Sequence, residues 1–159
     1  MSSRSQETSV LRTVRDLVRW GASEFARAGL HFGHGTDNAL DEAFHLTLHA
    51  LKLPADLPAI YLEARVTDSE RETVLRLLRQ RVKTRKPAAY LLGEIEFCGL
   101  PFTVDERVLV PRSPIGELIR NGFQPWINQP PASILDLCAG SGCIGIAAAM
   151  HFPDAKVDL

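Results

Sequence analysis

The sequence predicts a mixed fold in which a helical bundle, a β-hairpin and the first unit of a parallel α/β sheet follow one another. Apolar residues recur every three or four positions through the first half of the chain, which is the period of an amphipathic helix. After Pro87 the apolar residues alternate, and near the end an apolar strand precedes a glycine-rich turn and another helix. We therefore divide the chain into residues 1–86, 87–131 and 132–159.

Three helices are predicted in residues 1–86. The first covers residues 10–28, the run Gly33-His-Gly-Thr-Asp-Asn38 supplies turn and cap residues for the second, and Pro54 and Pro58 close that second helix. A capping box, Thr67-Asp-Ser-Glu70, opens the third helix. The apolar stripes are Val10, Val14, Leu17, Val18, Gly21 and Phe25; Leu40, Ala43, Phe44, Thr47, Leu48 and Leu51; and Val74, Leu75, Leu78 and Val82.

Residues 87–131 are predicted to form a hairpin, a further strand and a short helix. Alternating apolar residues flank Cys98-Gly-Leu-Pro101, which is typical of a hairpin, and Val108 and Val110 continue the alternation as another strand. Ser113-Pro114 has the form of an N-cap followed by a first-turn proline. Gln129-Pro-Pro131 then forms a linker to the strand in residues 133–137.

Composition excludes several classes of protein. The 159 residues are 45% hydrophobic and 23% charged, and 18 Lys and Arg against 19 Asp and Glu give a formal charge of -1, so the chain as a whole is not an electrostatic binder of nucleic acid. No apolar run approaches the roughly 18 residues of a membrane span. Three cysteines without paired spacing argue against a disulfide framework and a zinc site. We expect a cytoplasmic protein.

The turn Asp136-Leu-Cys-Ala-Gly-Ser-Gly142 is the strongest candidate for a ligand site. Its glycines let the backbone approach a ligand, and the helix that follows directs N–H groups and a positive dipole end at the same place. Gly140, Gly142 and Gly145 also match the dinucleotide fingerprint, so a nicotinamide-binding oxidoreductase stays an alternative. Asp136 favours S-adenosylmethionine, because a carboxylate suits a cationic sulfonium better than a pyrophosphate.

Two longer motifs resemble a known family. Phe97-Cys-Gly-Leu-Pro-Phe102 with Val104-Asp-Glu-Arg-Val-Leu-Val-Pro-Arg-Ser-Pro-Ile-Gly-Glu117, followed by Ile134-Leu-Asp-Leu-Cys-Ala-Gly-Ser-Gly-Cys-Ile144, is similar to the bacterial protein glutamine N5-methyltransferases. The early Gly33-His-Gly-Thr-Asp-Asn38 and Asp41-Glu-Ala43 resemble the branch that modifies the third protein of the large ribosomal subunit. Release-factor methyltransferases, an enzyme that methylates amino groups of nucleic acid, and a non-catalytic module that binds a ribosomal protein are the alternatives.

The resemblance implies a helical substrate-recognition domain in residues 1–86, a hairpin and linker helix in 87–131, and in 132–159 the truncated start of a Rossmann-like, seven-stranded methyltransferase sheet. S-adenosyl-L-methionine would be the cofactor, and a large-subunit ribosomal protein the substrate. The family's Asn-Pro-Pro-Tyr motif does not occur in these residues, so we assign no catalytic residue and expect this chain to be inactive alone. The predicted cofactor-binding residues are Asp136, Cys138, Ala139, Gly140, Ser141 and Gly142.

Arg112 lies where the family's linker meets the cofactor domain. It could hold a carboxylate of substrate or cofactor in a bidentate pair, or form a salt bridge, for example to Glu117, that fixes the hairpin. The residues alone leave these two alternatives open.

Histidines suggest a metal site only weakly. Asp41, His45 and His49 share one helical face at a spacing of four, but without a third strong ligand nearby we expect surface packing and no metal. His31 and His34 are expected to be turn residues. Cys138 and Cys143 are expected to be small apolar packing residues.

A basic segment runs through residues 65–86, where eight Lys or Arg stand against three acids. Most such segments are solvated helix faces. A ribosomal-protein substrate is delivered among phosphates, however, and a weak contact with ribosomal RNA is the functional alternative. The sequence shows no aromatic residues interleaved with these cations, which a specific RNA reader would need.

Overall fold

The computed structural model describes residues 9–33 and 35–159, so the predictions made for Met1-Ser-Ser-Arg-Ser5 and for His34 lie outside the described residues. The chain falls into two compact units that divide between Leu91 and Leu92. Each unit has its own hydrophobic cluster. They are described in turn.

Three helices make up most of the first unit: α1 (Val14–Arg27), α2 (Ala39–Leu51) and α3 (Asp68–Thr84). The predicted start of α1 is wrong by four residues, because Thr13 has an extended backbone and caps the helix in a capping box with Asp16. Val10 is accordingly outside the helix and 68% exposed. The structure confirms the capping box of α3, in which Thr67 and Glu70 satisfy each other's backbone N–H groups.

The core of the first unit lies where α1, α2 and α3 meet. Leu17, Leu46 and Leu75 are fully buried there. Gly21 allows the close approach of the helices, since a Cβ atom at that position would lie 2.9 Å from the Leu78 side chain. A 3-10 helix, Ala59–Glu63, and a short helix α4 (Ala88–Leu92) complete the regular structure and were not predicted.

A buried ion pair joins two helices of the first unit. Glu42 on α2 and Arg81 on α3 are 1% and 2% exposed, and Arg81 Nε donates to Glu42 Oε1 at 2.5 Å. The other carboxylate oxygen accepts from Thr36 Oγ1, while an Arg81 amino group donates to the His31 carbonyl. The pair therefore also holds the segment between α1 and α2.

The second unit begins with a hairpin of β1 (Glu94–Phe97) and β2 (Leu100–Thr103), as predicted. Its two-residue turn places Cys98 and Gly99 at positive φ, the geometry that matches the twist of paired strands. The further strand predicted at Val108 and Val110 is absent from the described residues. Asp105 instead accepts hydrogen bonds from the backbone and side chain of Arg107, and this turn interrupts the extended backbone.

After the helix α5 (Ile115–Arg120), the second unit ends in a β-α-β arrangement. β3 (Ser133–Leu135) and β4 (Lys156–Asp158) pair in parallel, and α6 (Cys143–His151) connects them. The core of this unit comprises Phe97, Ile119, Cys143, Ala147 and Ala148. These two are the only parallel strands in the described residues, and they leave Leu135, Leu137 and Leu159 exposed.

None of the helices in residues 9–33 and 35–159 has the length and hydropathy needed to cross a membrane.

Candidate cofactor-binding turn

The turn between β3 and α6 brings all six predicted cofactor-binding residues into one loop. Three of its residues have positive φ: Cys138 at 64°, Gly140 at 59° and Gly142 at 74°. The Gly142 N–H donates to the carbonyl of Ala139 at 2.8 Å, which closes the loop. Repeated left-handed residues are how a chain can reverse from a strand into a helix within so few positions.

Asp136 holds this turn to the start of α6. Its carboxylate Oδ2 accepts the N–H of Gly145 at 2.9 Å, and its own N–H donates to the carbonyl of Asp158 at 2.9 Å. Gly142, the N-cap residue of α6, has no side chain to fulfil this function. Asp136 is therefore a helix cap supplied from the preceding strand, and its negative charge lies at the positive end of the helix dipole.

Gly145 is the residue that makes this arrangement possible. A Cβ atom there would lie 3.2 Å from Asp136 Oδ2 and would overlap the side chain of Leu159. Neither Gly145 nor Leu159 is among the predicted site residues. The sequence did contain a signal for Gly145, because it is the third glycine of the dinucleotide fingerprint, where helix and strand pack closely. No local pattern identifies Leu159.

The outer side of the loop can accommodate a ligand. A Cβ atom at Gly140 would meet no other heavy atom within 4 Å, so the space beside this glycine is open. Cys138 and Gly140 are exposed, Ala139 and Ser141 are half-buried, and Gly142 is buried. The exposed part of the loop therefore lies at Cys138 and Gly140, ahead of the start of α6.

Arg112 is exposed and follows Val110 and Pro111, which are buried. The hydroxyl of Ser113 accepts the N–H of Ile115 at 3.2 Å and so caps the start of α5. Both alternatives for the Arg112 guanidinium, a ligand carboxylate or a salt bridge, stay predictions.

Metal ligands do not cluster in the part of the chain that the structure describes, where no group of three His, Cys, Asp or Glu residues could hold an ion. Asp41, His45 and His49 are exposed on α2. The three cysteines are free thiols: Cys138 is exposed and Cys143 buried. Burial raises the pKa of the Cys98 thiol.

The basic residues of the segment 65–86 have different environments. Arg71 pairs with Asp68, Arg81 with Glu42, and Arg85 donates to the carbonyls of Ala28 and Gly29. Arg76, Arg79 and Lys83 are exposed on α3. The guanidinium of Arg79 lies over the ring of Trp20, 5.8 Å from its centroid.

Comparison with known proteins gives a clear relationship. No family model matches the chain. The chain is 54% identical over 149 residues to proteins named ribosomal protein uL3 glutamine methyltransferase in two strains of Xylella fastidiosa and in Xanthomonas campestris pv. campestris. Each alignment covers 93% of this chain and 48% of the relative, so the chain spans about half the length of these relatives.

These relatives confirm the resemblance to protein glutamine methyltransferases that the motifs indicated. In particular, the chain is a homologue of the ribosomal protein uL3 glutamine methyltransferases over their N-terminal portion.

Proposed function

We propose that this chain is the recognition and cofactor-turn portion of an S-adenosylmethionine-dependent enzyme that methylates a glutamine side-chain amide of ribosomal protein uL3. The observation that carries this proposal is the 54% identity over 149 residues to proteins named for that activity. A ribosomal-protein substrate would be met in the cytoplasm. Because the Asn-Pro-Pro-Tyr motif is not in the sequence, these residues alone would bind cofactor without turnover.

The turn at residues 136–142 would hold the cofactor, with β3 and β4 as the first strands of a Rossmann-like, seven-stranded sheet. When bound, S-adenosylmethionine supplies a methyl group on a cationic sulfonium. Gly140 leaves room for it, and the backbone of Cys138, Ala139 and Ser141 would border it. Asp136 fixes the loop through its bond to Gly145 and adds a negative charge that would favour a cation.

The remainder of the chain would act on the substrate. An amide nitrogen is a weak nucleophile because its lone pair is delocalised, so the enzyme must position that nitrogen against the methyl group. The helical unit, residues 1–86, would recognise uL3. Arg112 would bind a carboxylate of substrate or cofactor, or fix the hairpin.

The test is a chimera in which the 149 matched residues replace the corresponding portion of the Xylella fastidiosa enzyme. We expect it to transfer a labelled methyl group to purified uL3, with the unaltered Xylella enzyme as the positive control. Transfer to a peptide release factor in preference to uL3 would contradict the proposed substrate. Binding of uL3 without measurable affinity for S-adenosylmethionine in calorimetry would favour a non-catalytic binding module instead.

The turn itself is tested in the same chimera with Gly140→Val. This change adds a branched side chain at a positive φ in the open space beside the loop, so both cofactor affinity and methyl transfer should fall. Gly99→Val is the matched control, because Gly99 also has a positive φ and open space around it but lies in the hairpin. Equal loss of cofactor affinity in both variants would contradict the assignment.

A further inference from the structure

The structure divides the eight cations of residues 65–86 into those that maintain the fold and those that face solvent. Arg71, Arg81 and Arg85 have acceptors within the first unit, and Arg81 is 2% exposed. The guanidinium groups of these three residues are therefore already engaged within the unit. The segment as a whole is therefore less basic toward a partner than its composition indicates.

Three of the remaining cations form one stripe on α3. Arg76, Arg79 and Lys83 are spaced by three and four residues, so they share one face of the helix over about 10 Å of its length. All three are exposed, and none forms a salt bridge with an acid in the described residues. Glu72, one turn before Arg76, is the acid on the same face.

An aromatic ring from another helix lies next to this stripe. Trp20 on α1 is half-buried, and the Arg79 guanidinium lies over its ring at 5.8 Å from the centroid. This cation–π contact is attractive in itself and keeps the Arg79 guanidinium beside the ring. The aromatic residue that the basic segment lacks in sequence is thus supplied by α1 through the packing of the first unit.

We propose that Trp20, Arg76, Arg79 and Lys83 form a binding surface for single-stranded RNA. Arg76 and Lys83 would contact phosphates on either side, while a base would stack on the Arg79 and Trp20 pair. An acidic peptide fits less well, because it would match the cations but offer no ring to stack beside Trp20, whereas single-stranded RNA supplies both phosphates and bases. The choice of RNA over DNA rests on the proposed ribosomal substrate.

The experiment uses the full 159-residue chain with Trp126→Phe, which leaves Trp20 as the only tryptophan. Trp126 is 76% exposed, so this background change should not affect folding. A 12-nucleotide single-stranded RNA is the probe. We expect it to quench Trp20 fluorescence, and we expect the logarithm of the binding constant to fall with the logarithm of salt concentration with a slope of about -1.4, as the two phosphate contacts of Arg76 and Lys83 predict.

The decisive variant replaces Arg76, Arg79 and Lys83 with alanine. It should weaken RNA binding more than tenfold and bring the salt slope close to zero. The matched control replaces Arg12, Arg15 and Arg65, which removes the same charge from exposed positions in the same unit. The control should keep the quenching and the slope, and an equal loss in the two triple variants would overturn the proposal.

Arg79→Lys separates stacking from charge. It keeps the cation but removes the planar group, so the salt slope should persist while affinity falls roughly fivefold to one hundredfold and quenching is lost. Unchanged quenching by RNA in this variant would overturn the stacking geometry.

Displacement of RNA by an equimolar poly-glutamate peptide would assign the surface to acidic proteins. None of these results depends on methyl transfer by the chimera, so the two proposals fail separately.

Discussion

Glu42 and Arg81 show how single residues organise the first unit. Both side chains are almost completely buried, so each has lost its hydration and depends on the other and on the bonds to Thr36 and His31. A buried pair of this kind adds little net stability compared with apolar residues, but removing one partner leaves a charge uncompensated in the interior. The pair consequently makes α2, α3 and the segment between α1 and α2 interdependent.

Glu42→Gln or Arg81→Met alone should lower the free energy of unfolding by about 3 to 5 kcal/mol, measured by urea denaturation. The double variant Glu42→Gln with Arg81→Met should lose less than the sum of the single changes. The exposed pair of Arg15 and Glu63 is the control, since its loss should cost at most about 1 kcal/mol. A cost below about 1 kcal/mol for Glu42→Gln, the limit for the exposed pair, would contradict the burial of Glu42 and Arg81.

Asp136 should act first as a cap and only then as a ligand residue. Asp136→Ala removes the acceptor for the Gly145 N–H and should destabilise the second unit by about 1 kcal/mol in urea denaturation. Asp158→Ala is a suitable control, because that carboxylate forms an exposed pair with Lys156. If both changes had the same small effect, the capping bond would not contribute to stability.

At the scale of elements, the helices of the first unit are defined by their caps. α1 and α3 both begin with reciprocal capping boxes, and Asn38 caps α2 with its side chain. The hydrogen bond from the Arg12 N–H, helped by those from Thr13, holds the pKa of Asp16 below its usual value of 3.8 against the opposing effect of burial. The ionised carboxylate is therefore stabilised in the folded state.

The lowered pKa of Asp16 determines how the stability of the first unit changes with pH. Because the folded pKa of Asp16 is depressed, its contribution to stability is present above its unfolded pKa and is lost as the pH falls through the lower folded value. NMR titration should place the midpoint of Asp16 below 3.8. Asp16→Asn should show a smaller loss of stability between pH 5 and pH 2 than the unaltered chain, and an equal loss would contradict the assignment.

The junction of β3, α6 and β4 depends on Gly145, because any side chain at that position would collide with its neighbours. Gly145→Ala should destabilise the second unit and lower the affinity for S-adenosylmethionine, because the new methyl group overlaps Leu159 and crowds Asp136. Adding Leu159→Ala should restore part of the stability, as measured by thermal unfolding. No rescue in the double variant would show that the overlap with Leu159 is not the cause.

At the scale of the whole molecule, the chain consists of two units with separate cores. We expect residues 1–91 to fold alone, with helical circular dichroism and cooperative urea unfolding. Leu78 is fully buried in this unit, so Leu78→Ala should lower the stability of the fragment by about 2 to 5 kcal/mol if the native core forms. A broad, non-cooperative transition would contradict an independent unit.

Local patterns predicted much of this architecture. Capping boxes, turn glycines and the alternation around Cys98 and Gly99 act over a few residues, so α3, the hairpin and the turn before α6 follow from the sequence. The same alternation was misleading at Val108 and Val110, because a strand also needs a neighbour and Asp105 turns the chain away. The helix Ala88–Leu92 is too short for a periodic pattern to show.

The sequence by itself determined the succession of helices, hairpin and glycine turn, the residues of that turn, and the relationship to protein glutamine methyltransferases. Only the tertiary structure decided that Asp136 caps α6, that Glu42 and Arg81 pair in the core, and that Trp20 lies beneath Arg79. The physical reason is distance along the chain. Propensity and periodicity are properties of neighbours, whereas each of these contacts joins residues that only packing brings together.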